Sequence, residues 1–299
     1  MLCIQIKGGL GNQMFQYAFA KSISEKYQVP FIIDCNYFEI KGNVDYTLWD
    51  FELNVFQLKV NKAEVDQLKK YKVSLLSKIN ARLNKLLNIP VLFKNSRVTE
   101  EQFDLKFYDE SFNPKNKYFV GYWQSEYYFN SIEQIIREDF KFKPSLDEKN
   151  LSLKKRIKTS NSVSVHIRRG DYVNNPSAFK NHGVCSIEYY RKSIEEIKKQ
   201  VDNPVFFFFS DDFEWVRENN FGIQNYEFID WNQEGESYID MQMMSYCKHN
   251  IIANSSFSWW GAWLNNNPYK NVIAPRKWFA DDIRNKDSEK IIPKKWKRI

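Results

Sequence analysis

Two adjacent arginines, Arg168 and Arg169, stand in the segment HIRRGDY, directly after the apolar-rich run VSVHI. A guanidinium presents a planar fork that pairs bidentately with phosphate oxygens. If VSVHI is a strand, His166 and Arg168 point to the same side of it, because side chains alternate. The segment therefore predicts a phosphate clamp at a strand end. An arginine pair held structurally by Asp171 and other carboxylates is the alternative.

Two further segments place polar groups after predicted strands. In FFFFSDDF, a carboxylate of Asp211 or Asp212 could accept hydrogen bonds from a guanine edge, bind a metal or cap the next helix. In IIANSSFSWW, the residues Asn254, Ser255 and Ser256 are good helix caps, and a helix start can also offer N–H groups to a pyrophosphate. Since ligands bind outside the carboxyl ends of strands in open α/β sheets, these segments predict one shared site.

The pattern of apolar residues and turn residues predicts alternating strands and helices that would position these segments. In the first half we predict strands at 2–6, 31–33 and 118–120, a tight glycine loop at 8–11, and helices at 13–27, 63–87 and 131–137. In the second half we predict strands at 163–167, 205–209, 226–229 and 250–253, and helices at 187–201, 240–246 and 256–264. Ser186 is expected to cap the first of these helices.

This alternation is typical of an α/β protein built from two units that face each other across a cleft. The mixed-charge stretch 143–155, which contains Pro144, is the predicted junction. We therefore expect an N-terminal domain at 1–150 and a C-terminal domain at 151–299, with the last helix packing back on the first domain.

Composition narrows the possible partners. The 299 residues include 44 basic and 37 acidic side chains, and the net charge of +7 fits an anionic ligand or membrane surface without singling out nucleic acid. The four cysteines are widely spaced, which predicts no metal knuckle or redox pair and a reduced cytoplasmic setting. The opening MLCIQIKGG is typical of a buried strand, and no apolar run approaches the ~18 residues of a membrane span.

Five segments, taken in order, resemble one known family. GGLGNQMFQYAFA, GYWQSEYYF, HIRRGDYV, FSDD and CKHNIIANSSFSWWGAWL are similar to segments of the bacterial α-1,2-fucosyltransferases of glycosyltransferase family 11. The resemblance spans nearly the whole chain. It implies two Rossmann-like domains in the GT-B arrangement, GDP-L-fucose as donor, a galactosyl 2-hydroxyl as acceptor and inversion at the anomeric carbon. It also implies that no metal and no cofactor is needed.

The resemblance carries roles onto individual residues. Arg168 is expected to hold the β-phosphate, His166 and Asp171 to lie against the nucleotide or sugar, and an aspartate of the SDD pair, with Asp212 as first choice, to read guanine. Asn12 matches a position that faces the sugar. The donor site so predicted comprises Gly9, Gly11, Asn12, His166, Arg168, Arg169, Asp211, Asp212, Asn254, Ser255, Ser256 and Phe257.

The catalytic groups predicted are Arg168, Asn12 and Asp171. Without a cation, a positive side chain must stabilise the departing GDP, and Arg168 is the best candidate. Asp171 is the first candidate for a general base, with a salt bridge to Arg169 as the alternative. Some related fucosyltransferases have a glutamate just after this block, but here Pro176 and Ser177 occupy that region, so the role cannot be carried over.

The acceptor is assigned to the first half of the chain. Tyr122, Trp123, Gln124 and Tyr127 combine a stacking surface with an amide, and packing between the domains is the alternative. The expected acceptor is a galactose-terminated oligosaccharide or a lipid-linked glycan, with peripheral contact at the inner membrane face. No metal site is expected, since the three histidines are far apart in sequence.

Two rival functions fit parts of the sequence. GGLGNQ and Asp34 resemble the dinucleotide-binding pattern of a nicotinamide enzyme, but Met14 stands where the third glycine is needed for close helix packing. A carbohydrate-binding protein without catalysis would suit the 17% aromatic content, but such a protein needs no phosphate clamp.

Overall fold

The computed structural model describes residues 1–39, 49–71, 96–100, 103 and 112–299. Within these ranges, ten strands form two sheets in which every strand pair is parallel. The first sheet has the order β2-β1-β4-β3, with β1 at Leu2–Gln5, β2 at Phe31–Asp34, β3 at Arg97–Thr99 and β4 at Tyr118–Val120.

The second sheet has the order β10-β9-β8-β5-β6-β7. Its strands are β5 (Asn161–Ile167), β6 (Pro204–Ser210), β7 (Tyr226–Ile229), β8 (His249–Ile251), β9 (Val272–Ala274) and β10 (Lys297–Arg298). The central strand β5 pairs with β6 on one side and β8 on the other. The segments that follow these three strands therefore lie side by side at one edge.

Eleven α-helices occur in the described part of the chain. They are α1 (Leu10–Tyr27), α2 (Val65–Lys69), α3 (Glu133–Asp139), α4 (Glu148–Thr159), α5 (Gly170–Asn174), α6 (Pro176–His182), α7 (Ile187–Lys198), α8 (Phe213–Glu218), α9 (Ser237–Tyr246), α10 (Ser256–Leu264) and α11 (Asp282–Asp287). In these same ranges no helix is long and apolar enough to cross a membrane.

The helices α1 and α10 form the centre of the molecule. Phe15 of α1 lies 4.5 Å from the ring of Trp259 and 4.9 Å from that of Trp260, between ring centroids. All three side chains are fully buried, and one hydrophobic cluster includes residues of both halves. Fully burying such a side chain contributes about 1.5–3 kcal/mol, so the two halves are joined by a shared core.

The four phenylalanines of strand β6 are buried on both faces of the sheet. The side chains of Phe207 and Phe209 belong to the cluster shared with the first half, whereas Phe206 and Phe208 belong to a second cluster on the other face. Alternation along a strand sends successive side chains to opposite faces. The prediction of a strand buried on both faces is therefore confirmed.

Several predicted elements agree with the structure. Strands β4, β6 and β7 lie where the pattern placed them, and Ser186 accepts a hydrogen bond from the Tyr189 N–H at the start of α7. Helix α1 begins three residues earlier than predicted, because the Gly9 carbonyl accepts from the N–H groups of Asn12 and Gln13. Of the predicted helical region at 63–87, the structure describes residues 63–71, which contain α2, and the remainder lies outside the described residues.

The short elements β3, β9, β10, α5, α6, α8 and α11 were missed, since each has seven residues or fewer, too short for a clear period to emerge. The twelve-residue helix α4 was also missed, because the mixed-charge stretch 143–155 was assigned to the junction. The predicted boundary at residue 150 falls inside α4, whose Asn150 hydrogen-bonds Asn232 of the second half at 2.9 Å. After α11, the Lys290 carbonyl accepts a hydrogen bond from Ser125 Oγ at 2.7 Å, so the end of the chain contacts the first half.

Candidate functional site

A cavity of about 820 Å³ lies between the two halves, at the carboxyl ends of β5 and β6. This size is typical of a site for a small molecule. We call its two sides the C-terminal wall, formed by His166, Arg168, Asp171, Asp211, Asp240, Ser255, Ser256 and Phe257, and the N-terminal wall, formed by Lys7, Gly9, Asn12, Trp49, Glu52, Tyr122 and Gln124. Residues of both predicted sites therefore line one cavity.

Arg168 is the fixed cation of the C-terminal wall. Its guanidinium lies 2.7 Å from an Asp171 oxygen and 2.9 Å from an Asp211 oxygen. The rings of Trp49 and Tyr172 each have their centroid 5.5 Å from the guanidinium carbon. Burial lowers the pKa of Arg168, but the carboxylates of Asp211 and Asp171 outweigh it and the pKa is raised. The cavity thus holds a permanent positive charge that is oriented before any ligand enters.

Arg169 faces away from the cavity, although it adjoins Arg168. Its Nε donates to an Asp212 oxygen at 3.0 Å, and its guanidinium carbon lies 4.3 Å from the Trp215 ring centroid. The second Asp212 oxygen accepts from the Trp215 N–H at 3.1 Å, which caps α8. Neither Arg169 nor Asp212 lines the cavity. The structure therefore gives both residues partners outside the cavity, and their contact with the donor stays a prediction.

The other two aspartates near the arginines also have partners. Asp211 accepts from the backbone N–H of Arg169 at 2.8 Å in addition to its ion pair with Arg168. Asp171 pairs with Arg168 and not with Arg169, which corrects the alternative drawn from sequence. These two carboxylates hold the Arg168 guanidinium in position.

His166 near the end of β5 and Arg168 directly after it both line the cavity, which agrees with the strand pattern. Burial lowers the pKa of the imidazole, against the raising effect of Asp211, so the ring is neutral. Its Nδ1 is buried and has no hydrogen-bond partner among the described residues. The ring packs against Phe257 with centroids 5.6 Å apart.

Helix α10 directs its amino end at the cavity. Ser255 caps the helix by accepting from the Phe257 N–H at 3.3 Å, and Ser256 lies beside it in the cavity wall. Asn254 is a structural clamp, since its amide donates to the carbonyl of His182 at 2.9 Å and to that of Trp278 at 3.3 Å. The positive end of the helix dipole and its N–H groups suit an anion.

Gly11 brings the two halves into direct contact beneath the cavity. A Cβ atom at this position would lie 2.5 Å from the Ser256 carbonyl carbon and 2.7 Å from the Phe257 nitrogen. The Gly11 carbonyl accepts a hydrogen bond from Trp260 Nε1 at 2.9 Å. Only a glycine permits this approach, so Gly11 fixes the floor of the cavity and has a packing role there.

The predicted acceptor residues separate into two groups. Tyr122 is 43% exposed and lines the cavity, as does Gln124, whose amide donates to Asn12 Oδ1 at 2.6 Å. Trp123 is 0% exposed and stacks on Phe19 with centroids 3.9 Å apart. Its backbone has a positive φ of 55° and its side chain lies in the core, which favours packing, the alternative drawn from sequence.

Tyr127 is 52% exposed and lies outside the cavity, so its contact with the acceptor stays a prediction. Asp34, the residue expected to bind ribose in a nicotinamide enzyme, is also outside the cavity. The carboxylate of Asp34 accepts from the Tyr118 hydroxyl at 2.6 Å and from the Asn36 N–H at 2.9 Å. Among the described residues, no group of three or more His, Cys, Asp or Glu side chains is arranged to hold a metal ion.

Two carboxylates that line the cavity were not predicted from the sequence. Asp240 projects from α9, and burial raises its pKa to about 8, with an opposing hydrogen bond at 2.8 Å from Asn232. Glu52 lies on the N-terminal wall, and burial raises its pKa to about 7. A charged residue in the apolar run YIDMQMM was the available signal for Asp240, whereas the segment around Glu52 has no periodic pattern.

Comparison with known proteins gives both close and distant relatives. An α-1,2-colitosyltransferase of Escherichia coli is 38% identical over 307 residues, covering 99% of this chain and 97% of the relative. The O-antigen biosynthesis glycosyltransferase WbnK of Escherichia coli is 38% identical over 292 residues, covering 94% and 96%. The solved structures of the fucosyltransferase NodZ from Bradyrhizobium and of NodZ α-1,6-fucosyltransferase co-crystallized with GDP each have a TM-score of 0.53 at 14% identity, covering 87% of this chain and 91% of theirs.

The structural likeness confirms the predicted fold, two parallel α/β units facing across a cleft in the GT-B arrangement. The family model described as glycosyl transferase family 11 matches residues 1–299, and this agrees with the resemblance seen in the five sequence segments. The chain therefore belongs to glycosyltransferase family 11.

Proposed function

We propose that this glycosyltransferase moves L-fucose from GDP-L-fucose to the 2-hydroxyl of a galactoside, with inversion and without a metal ion. The observation that carries the proposal is Arg168, a cation held between two carboxylates and aimed into the cavity beside the amino end of α10. An acceptor hydroxyl displaces GDP from the anomeric carbon, so negative charge develops on the β-phosphate. Arg168 and the N–H groups of α10 are placed to receive that charge.

The diphosphate would lie between Arg168 and the start of α10. Two paired carboxylates keep the guanidinium in position, and a donor fixed beforehand loses little energy to reorganisation when charge develops. A side chain that carries the positive charge takes over the electrostatic task that Mg²⁺ or Mn²⁺ has in metal-dependent phosphate transfer. This is the support for the metal-independent mechanism.

Asp240 is the best candidate for reading guanine, in place of Asp212. A carboxylate can accept two parallel hydrogen bonds from N1–H and N2–H₂ of guanine. Asp240 lines the cavity and is held by Asn232, which is itself hydrogen-bonded to Asn150. Two N–H donors would favour the ionised form, so guanine binding would lower the pKa of Asp240 from its raised value.

The acceptor would lie against the N-terminal wall. Tyr122 and Trp49 offer ring faces to the apolar face of a sugar, and Gln124 and Asn12 offer amides to its hydroxyls. A relative named for O-antigen biosynthesis supports a glycan as acceptor. The net charge of +7 would favour peripheral contact with an anionic membrane when that glycan is lipid-linked.

A panel of donors and acceptors tests this proposal. GDP-colitose is the essential competitor of GDP-fucose, since one relative is an α-1,2-colitosyltransferase and colitose lacks only the 3-hydroxyl of fucose. A site that hydrogen-bonds that hydroxyl rejects the deoxy sugar strongly.

We expect GDP-fucose and a β-galactoside to give an α-1,2 product by NMR, at a rate unchanged by EDTA. A preference for GDP-colitose would replace the donor. Loss of activity on chelation, restored by Mn²⁺, would contradict the metal-free mechanism.

A further inference from the structure

Four carboxylates of the described residues line the cavity, and three of them stand on the C-terminal wall with assigned partners. Asp171 and Asp211 are ion-paired with Arg168. Asp240 accepts a hydrogen bond from Asn232 at 2.8 Å. The fourth, Glu52, stands on the opposite wall, and none of the described lysines or arginines forms an ion pair with it.

The backbone of Glu52 is fixed to the first turn of α1. The Glu52 N–H donates to Gln13 Oε1 at 2.9 Å, and the Gln13 amide in turn donates to the carbonyls of Asp50 at 2.7 Å and Gly8 at 2.8 Å. The Leu10 N–H interacts with the Glu52 carboxylate. The side chain therefore projects from a rigid support rather than from a loose loop.

Trp49 shows where this support lies relative to the phosphate clamp. It precedes Glu52 by three residues, and its ring reaches across the cavity to within 5.5 Å of the Arg168 guanidinium. The same ring packs on Gly9, where a Cβ would lie 3.1 Å from it. Glu52 thus stands on the wall facing Arg168. In an inverting displacement the nucleophile and the leaving group occupy opposite sides of the anomeric carbon, so the two walls correspond to these two positions.

We propose that Glu52 is the general base that takes the proton of the acceptor hydroxyl, an assignment that rests on the proposed transfer reaction. The acceptor oxygen forms a bond to the anomeric carbon as its proton passes to a Glu52 carboxylate oxygen. The bond from the anomeric carbon to the β-phosphate oxygen breaks, and its electron pair leaves with GDP beside Arg168. The proton then passes from Glu52 to water, which restores the carboxylate for the next turnover.

The surroundings of Glu52 suit this task. A general base works best when its pKa is near the operating pH. Burial is the largest influence and raises the pKa of Glu52 to about 7, the Leu10 N–H lowers it, and the Asp50 carboxylate raises it. The other charged groups that line the cavity are Lys7, Arg168, Asp171, Asp211 and Asp240.

The Glu52 carboxylate also lies near the start of α1, where the Leu10 N–H influences its pKa, so its substitution must separate catalysis from folding. In E52Q the amide retains an oxygen for the Leu10 N–H but cannot take a proton at neutral pH. We expect kcat to fall by about 10²-fold or more, while the KM for the GDP-sugar and the increase in Tm on adding GDP stay as in the wild type. E52D, which keeps the carboxylate, should recover part of the rate.

The pH profile supplies a readout that a purely structural role would not change. In the wild type, kcat/KM for the acceptor should rise with pH through about 7 and then level off, because the base must be ionised. E52Q should lack this rise. D50N should retain the plateau with the rise moved to lower pH, and E25Q, an equivalent change outside the cavity, should match the wild type.

The outcomes separate this assignment from the proposed function. If the wild type is active and E52Q keeps both its kcat and the rise of kcat/KM through about pH 7, the assignment of Glu52 as the base is wrong and the proposed function still stands. A variant that loses both activity and GDP-induced stabilisation would point to a structural role and overturn it as well. A wild type that transfers no sugar from any GDP-sugar would overturn the proposed function, and the base with it.

Discussion

The two walls of the cavity differ in how their polar groups are held. On the C-terminal wall, the charged groups Arg168, Asp171 and Asp211 hold one another, and strand ends and a helix start supply the frame. The N-terminal wall is formed by aromatic rings, amides, Lys7 and the carboxylate of Glu52. In the proposed reaction, the fixed guanidinium of Arg168 and the N–H groups at the start of α10 are the parts of this wall that would bind the diphosphate. A wall of rings and amides suits sugars, which vary among acceptors and carry no charge.

The largest expected effect comes from the adjacent arginines, which differ in the direction of their side chains. R168K keeps the charge but loses the planar fork, and it should lower kcat by about 10²- to 10³-fold, roughly 2.7–4 kcal/mol of barrier. R169K changes an ion pair outside the cavity and should leave kcat near that of the wild type. Its expected effect is a Tm lower by a few degrees, from a loss of about 1 kcal/mol.

Steady-state kinetics and thermal unfolding on both variants decide this comparison. Equal losses of kcat in R168K and R169K would mean that the C-terminal wall acts as one unit, and that the inward direction of Arg168 carries no special function.

An intermediate effect is expected from two aspartates. D240N should weaken GDP binding by about tenfold to hundredfold and reduce the preference for GDP over inosine diphosphate, which lacks the 2-amino group. The affinity of the wild type for GDP should rise with pH toward about 8, because binding favours the ionised Asp240 whose pKa is raised in the free protein. D240N should lack this part of the pH dependence.

The matched control is D212N, in which the residue first chosen from sequence is altered at the cap of α8. Calorimetric titration with both nucleotides measures the preference directly. If D212N removes the preference for GDP and D240N retains it, guanine is recognised by the SDD segment and not by Asp240.

The smallest effect is expected from two tyrosines of the N-terminal half. Y122L removes a ring face from the cavity and should raise the acceptor KM by about three- to tenfold without changing the KM of the donor. Y127L, outside the cavity, should change neither constant. A rise in donor KM for Y122L would mean that the N-terminal wall also contacts nucleotide, and the division between the walls would then fail.

Sequence reasoning located most of the C-terminal wall because its groups, apart from Asp240 on α9, lie at or just after the ends of strands. The strand pattern of VSVHI placed His166 and Arg168 on one face, and both line the cavity. It could not show what holds Arg169 outside the cavity, because its partners Asp212 and Trp215 lie more than 40 residues away along the chain. The sequence could not distinguish the settings of Asp211 and Asp212, since the ion pairs of both depend on how the chain folds around Arg168 and Arg169.

The N-terminal wall was harder to predict. Within GYWQSEYYF, the rings of Tyr122 and Trp123 have different environments, and Trp123 has a positive φ. No residue pattern in the sequence predicts a left-handed backbone conformation at a tryptophan. Glu52 is held at the cavity by a hydrogen bond with Gln13, 39 residues away along the chain.

Asp240 of the C-terminal wall is a charged residue among methionines, which is unusual. Its place in the site can be recognised only when α9 is known to border the cavity.

The contact at Gly11 has a consequence for how substrates enter and leave. Widening the cleft at its floor would separate Gly11 from the Ser256–Phe257 peptide and break the buried hydrogen bond from Trp260. Any opening of the cleft that keeps this contact would therefore increase with distance from the floor. The groups beside Gly11 would keep their spacing, and the outer rim would be the part of the cavity that adapts to acceptors of different bulk.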